Sequence, residues 1–158
     1  MPPQQLQDKL TDLIQKAIRL KDLYKDCPQV YMIGDEDTKF ALEELAKEDA
    51  VEGKLDALAK LFIAFYLDYI PTQIVSNLEN NAGVFKNSDT VKDYFLTLAG
   101  FLHEAKIILL EEKDNMLPYL MAYKEYLGER GPNAVNDADL IDFFASIIDS
   151  AIQAIITF

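Results

Sequence analysis

Apolar residues recur along this chain at steps of three and four, and the pattern is sharpest over Asp139–Phe158, DLIDFFASIIDSAIQAIITF. The polar members are Asp139, Asp142, Ser146, Asp149, Gln153 and Thr157, which on a helix form one narrow stripe. The large apolar members are Leu140, Ile141, Phe143, Phe144, Ile147, Ile148, Ile152, Ile155, Ile156 and Phe158. They occupy most of the remaining circumference, whereas an ordinary surface helix needs one apolar face. This helix must be wrapped, either by the rest of the chain or by the chain and a partner. A strand would alternate with period two, and this stretch does not. A membrane span is a poor fit, since Asp142 and Asp149 would each cost roughly 2.5–3.5 kcal/mol near a bilayer centre. An interfacial membrane helix carries Lys and Arg on its polar face, and here that stripe is acidic.

The same periodicity predicts further helices. Leu6, Leu10, Leu13, Ala17, Leu20 and Tyr24 form one stripe, widened by Ile14 and Ile18. Asp12 and Lys16 are spaced to pair at i, i+4. Arg19, Lys21 and Lys25 suit the C-terminal end of the helix dipole, and Cys27-Pro28 ends the helix. Residues 28–37 form a connection, with Gly34 and Asp35/Asp37 supplying a turn and an N-cap. A second helix starts near Thr38 with Phe40, Ala41, Leu42, Leu45 and Ala46 inward. Gly53 is a candidate point at which this region splits. From Leu55 the chain turns strongly apolar, and LFIAFYL (61–67) faces every helical direction. This reads as a buried central helix ending at Ile70-Pro71, with a shorter piece after it carrying Ile74, Val75 and Leu78.

Residues 79–88 form a loop, and Ser88 or Asp89 caps the next helix. That helix places Val91, Phe95, Leu98, Leu102, Ala105 and Leu109 inward and Asp93, Thr97, Glu104 and Glu111 outward. Lys113-Asp114-Asn115 closes it. Another helix follows from about Met116, with Pro118 in its first turn. Gly128 to Asn136 is a break, and Asn136 or Asp137 caps the final helix. The fold class that follows is all-α: a single-domain bundle over residues 1–158, of five to seven helices, with the 55–70 helix and the C-terminal helix inside.

Composition agrees. The chain has 158 residues, half of them hydrophobic, with only six glycines and six prolines, which suits a few long helices better than many turns. Cys27 is the single cysteine, so no intrachain disulfide is possible. The start, MPPQQLQDKL, has neither an apolar signal core nor an Arg-rich transit pattern, and a cytoplasmic location is expected. The net charge of −12 disfavours direct contact with phosphate backbones. It is unevenly spread: residues 1–27 carry five basic and four acidic groups, residues 28–70 four and ten.

Little in the chain points to chemistry. Residues 35–56 hold nine acids and three lysines, but Lys39 and Phe40 stand where a calcium-binding loop needs ligands and a glycine. A mixed, wet helix face is the simpler account. His103 is the only histidine; with one His and one Cys no zinc set exists, and no Glu-x-x-His pair marks a two-iron bundle. His103 is therefore a structural residue or, at most, a lone ligand. No metal site and no cofactor are expected. Phosphate loops and hydrolase signatures are missing, and no Cys–His signature surrounds Cys27.

The expectation is a non-enzymatic module for protein–protein interaction, associating with itself or another protein and with neither nucleic acid nor membrane. Its contact face would be Phe143, Phe144, Ile147, Ile148, Ile152 and Ile155 on the C-terminal helix. A second candidate face is the stripe Tyr119, Tyr123 and Tyr126, since tyrosine suits half-wet contact surfaces. Two alternatives stand beside it. One is a binder of an apolar small molecule or pigment in the bundle interior, with His103 or a tyrosine as polar handle. The other is an acidic nucleic-acid mimic acting through Glu43, Glu44 and Glu48.

Overall fold

The computed structural model describes residues 3–25, 43–68, 89–123 and 137–157. They form five α-helices: α1 (Pro3–Lys25), α2 (Val51–Asp68), α3 (Asp89–Glu111), α4 (Lys113–Tyr123) and α5 (Leu140–Ile156). A 3-10 turn at Asp137–Asp139 leads into α5, and residues 43–47 form a short helical segment. No strand occurs among the described residues, and the helices pack on one another as an all-α bundle. The connection at 28–37, Cys27, the helix start at 38–42, the piece at 74–78, the 79–88 loop, Tyr126 and the 128–136 break lie outside the described residues.

The core follows the apolar periods. In α1, Leu6, Leu10, Leu13, Ala17 and Leu20 are buried as their spacing predicts. Ile18 does not widen the stripe, however, and is 44% exposed. In α2, Leu55, Leu58, Ala59 and Phe62 are buried, and so are Ala57, Leu61 and Ile63, so this stretch is enclosed on most sides. In α3, Phe95, Leu98, Leu102, Ala105 and Leu109 are joined in the interior by Tyr94, Ala99, Phe101 and Ile108. One cluster of buried side chains draws on all five helices and on Leu45 of the 43–47 segment.

The sequence did not say which helix packs on which. α3 lies between α1 and α5 and packs along both, while α2 packs on α4, and both of these touch α5. α1 runs antiparallel to α3, because Lys9 pairs with Glu111, Lys16 with Glu104 and Arg19 with Asp93. Lys16 thus reaches across to α3, at 2.8 Å, rather than to Asp12 in its own helix. Arg19 likewise serves an inter-helix pair. The acids Asp93, Glu104 and Glu111 are the α3 side of that seam.

Three boundaries also differ. The region around Gly53 does split, but the break falls at 48–50 and Gly53 sits in the first turn of α2. α3 does not close at Lys113–Asn115. Glu112 ends it, donating its N–H to Ile108 O (2.8 Å), and starts α4 by accepting at its own carbonyl from Asn115 and Met116 (3.0 and 2.9 Å). Pro118 therefore lies inside α4 rather than in its first turn. Lacking an N–H, it offers no donor to the Asp114 carbonyl four residues back. Finally, α5 is entered through the 3-10 turn with Asp139 at the cap, making no side-chain capping bond, so Asp137 does not cap it.

Candidate functional site

The C-terminal helix is enclosed by its own chain. Leu140, Ile141, Phe144, Ala145, Ile148, Ala151 and Ile155 are buried, with Phe144 only 1% exposed. The Phe144 ring stacks on Phe62 of α2 at 6.2 Å between centroids and meets Phe143 edge-on at 5.3 Å. Phe143, Ile147 and Ile152 are half-buried and pack against the core. The polar stripe Asp142, Ser146, Asp149 and Gln153 is the part left to solvent, joined by Ile156. Of the six apolar residues expected on a contact face of α5, Phe144, Ile148 and Ile155 thus face inward. The free apolar surface of α5 is narrower than its sequence predicts.

The tyrosine stripe is divided in the same way. Tyr119 is half-buried at the mouth of a cleft of about 350 Å³, lined by Leu6, Val51, Leu55, Asp114, Pro118 and others. Tyr123 turns to α2, where its hydroxyl donates to Asp56 Oδ1 at 2.5 Å. Lys60 completes the group: its Nζ lies 3.4 Å from both Asp56 Oδ2 and Glu44 Oε2, and 5.7 Å from the centre of the Tyr123 ring. Burial pushes the Tyr123 hydroxyl above the ordinary tyrosine value, and the hydrogen bond to Asp56 adds to this. Burial works against the Lys60 ammonium, but the carboxylates of Asp56 and Glu44 and the Tyr123 hydroxyl outweigh it and hold Lys60 above the ordinary lysine value. Both groups keep their protons near neutrality, the opposite of what a general base or a lysine nucleophile needs. The cluster clasps α2 to α4 and to the 43–47 segment.

Sequence reasoning did not find Asp56, Lys60 or Glu112. Asp56 and Lys60 are an i, i+4 pair, a signal that was there to read. Glu112 carries no signal in sequence: it looks like one more acid of a wet turn, yet it is 6% exposed and its Oε2 accepts from the Asn115 side-chain amide at 2.7 Å. His103 is exposed on α3 and does not reach the bundle interior, so it offers no polar handle to a ligand held there. No group of three or more His, Cys, Asp or Glu side chains able to hold a metal ion occurs among the described residues. No helix among them is long and apolar enough to cross a membrane.

The outward face of α3 carries apolar residues that no expectation placed there. Leu96 is 64% exposed and Leu110 41%. At 100° per residue, Leu96, Gly100, His103, Ile107 and Leu110 fall within a sector of about 80°. Ion pairs flank this sector. Arg19–Asp93, Lys16–Glu104 and Lys9–Glu111 lie toward α1, and Lys106–Asp149, at 2.6 Å, lies toward α5. Each pair is neutral, so the strip between them carries little of the net charge of −12. No known protein family, curated protein or solved structure matches the chain.

Proposed function

We propose that this protein is a non-enzymatic helical module for protein–protein interaction and that its partner is a second copy of itself. The observation that carries this reading is the exposure of Leu96 and Leu110 between ion-paired, charge-neutral borders. An apolar strip rimmed by polar groups is how interaction surfaces are built. In the Tyr123–Asp56–Lys60 cluster, Tyr123 and Lys60 are held protonated, which fits a clasp between helices better than a general base or a lysine nucleophile. Sedimentation equilibrium from low to high micromolar concentration tests the reading. A mass that rises from one chain toward two is expected, and a strict monomer throughout would end it.

The cleft beside Tyr119 favours one other reading, a binder of small molecules. Its volume of about 350 Å³ lies at the lower end of ligand-sized pockets. On this reading the ligand sits at the surface between the starts of α2 and α4, not in the bundle interior. Native mass spectrometry of the freshly purified protein would show a bound adduct, lost in Tyr119→Ala.

A further inference from the structure

We infer that two copies associate through the outward face of α3, antiparallel, about a two-fold axis that passes beside His103. This rests on the self-association proposed above and adds the surface and the register. Three observations converge on it.

The first is internal symmetry. Leu96 and Leu110 stand seven residues before and seven after His103. A two-fold axis at His103 brings Leu96 of each copy against Leu110 of the other, and the two His103 side chains together. In the same register, Ile107, four residues after His103, comes within about one residue's rise, roughly 1.5 Å, of Gly100, three residues before it, on the other copy. Every exposed apolar residue of the strip then meets an apolar or small one, which is what a self-complementary interface requires.

The second is Gly100. Glycine in mid-helix is less stable than alanine, so it needs a reason. Nothing among the described residues supplies one: of these, a Cβ placed there would meet only Lys16 Cε, at an ordinary 3.7 Å. The bare backbone is open on the outward side, where Ile107 of a second copy would seat.

The third is charge. Two chains of net charge −12 repel one another over most of their surface. The α3 strip is bordered by four neutral ion pairs, so a like-charged copy meets least repulsion there. A basic partner would instead be drawn to the acidic surface.

The test uses the full chain in sedimentation equilibrium. The double variant Leu96→Asp, Leu110→Asp alters four side chains per dimer and is expected to weaken association by at least about 100-fold. Ile18→Asp, at an exposed α1 residue outside the strip, is expected to leave it unchanged. Unaltered circular dichroism shows that the double variant folds. Register is tested separately with thiols in a Cys27→Ser background. Under mild oxidation His103→Cys is expected to form a covalent dimer, and a mixture of Leu96→Cys with Leu110→Cys a mixed one. A dimer that persists in the Leu96→Asp, Leu110→Asp variant overturns this interface and leaves self-association standing. A dimer that depends on Leu96 and Leu110 but fails to cross-link through position 103 overturns the antiparallel register. A monomer at all concentrations overturns both this inference and the reading on which it rests.

Discussion

Tyr123 and Lys60 show how a polar cluster can be recognised as structural. Both are held protonated near neutrality, so neither is set up as a general base or a lysine nucleophile. Their shifts have a consequence for stability. Both folded-state values lie above the ordinary 10.0 for Tyr123 and 10.5 for Lys60, so folding favours the protonated form of each. Their contribution is whole below about pH 10 and is lost as pH rises through the folded values. Tyr123→Phe removes the hydrogen bond to Asp56 and is expected to lower stability by about 0.5–1.5 kcal/mol at pH 7. The gap between wild type and Tyr123→Phe should narrow above pH 10. Denaturant midpoints measured at pH 7, 9 and 11 check both statements, and a constant gap across that range would contradict them.

At the scale of single helices, α5 and α3 have exchanged the roles their sequences suggest. α5 looks too apolar for one small fold, yet α3 on one side and α2 and α4 on others bury Leu140, Ile141, Phe144, Ile148 and Ile155 and half-cover Phe143, Ile147 and Ile152. Phe144 is therefore a core residue. Phe144→Ala is expected to cost about 3–5 kcal/mol in thermal or denaturant unfolding, by loss of buried area and the cavity left behind. The loss should be the same at every protein concentration, because it is borne by the single chain. α3 looks amphipathic, with acids outward, but those acids pair with bases of α1 along the seam, and the outward strip is Leu96, Gly100, His103, Ile107 and Leu110. Gly100→Ala separates the two scales of stability in this helix. It is expected to raise the stability of the isolated chain by about 0.5–1 kcal/mol, measured at low concentration. It should also weaken association, because the added methyl group stands where Ile107 of the second copy would fit. A substitution that improves folding and impairs assembly is hard to explain unless Gly100 faces a partner.

For the whole molecule, charge is the controlling quantity. The proposed dimer of two chains at −12 would work against its own electrostatic field, while the strip proposed for contact is apolar and bordered by neutral ion pairs. Salt screens the long-range repulsion and leaves the apolar contact intact. Association is therefore expected to tighten several-fold between about 20 and 200 mM NaCl, which light scattering or sedimentation can follow. An interface made of ion pairs between copies would weaken instead. The inter-helix pairs at the borders belong to one chain and are partly exposed, so each contributes only about 0.2–1 kcal/mol. Their larger part is in register, holding α1 antiparallel to α3.

Which residues enter the core was legible in the sequence, because burial follows the three-and-four spacing of a helix whatever it packs against. Leu10, Leu13, Leu58, Phe95 and Leu98 were all readable in that way, as was the acidic stripe of α5, and with them the all-α class, whereas Phe144 read as a contact residue and is core. Which helix covers which was not legible, since the same apolar stripe fits any neighbour. Only the tertiary arrangement put α3 between α1 and α5, turned Asp93, Glu104 and Glu111 from wet residues into partners of Arg19, Lys16 and Lys9, and buried Glu112 at a turn. It also moved the candidate contact surface from α5 to α3. Spacing along a chain fixes the direction in which a side chain leaves its own helix, but whether that direction leads to a neighbour or to water is decided by helices distant in sequence.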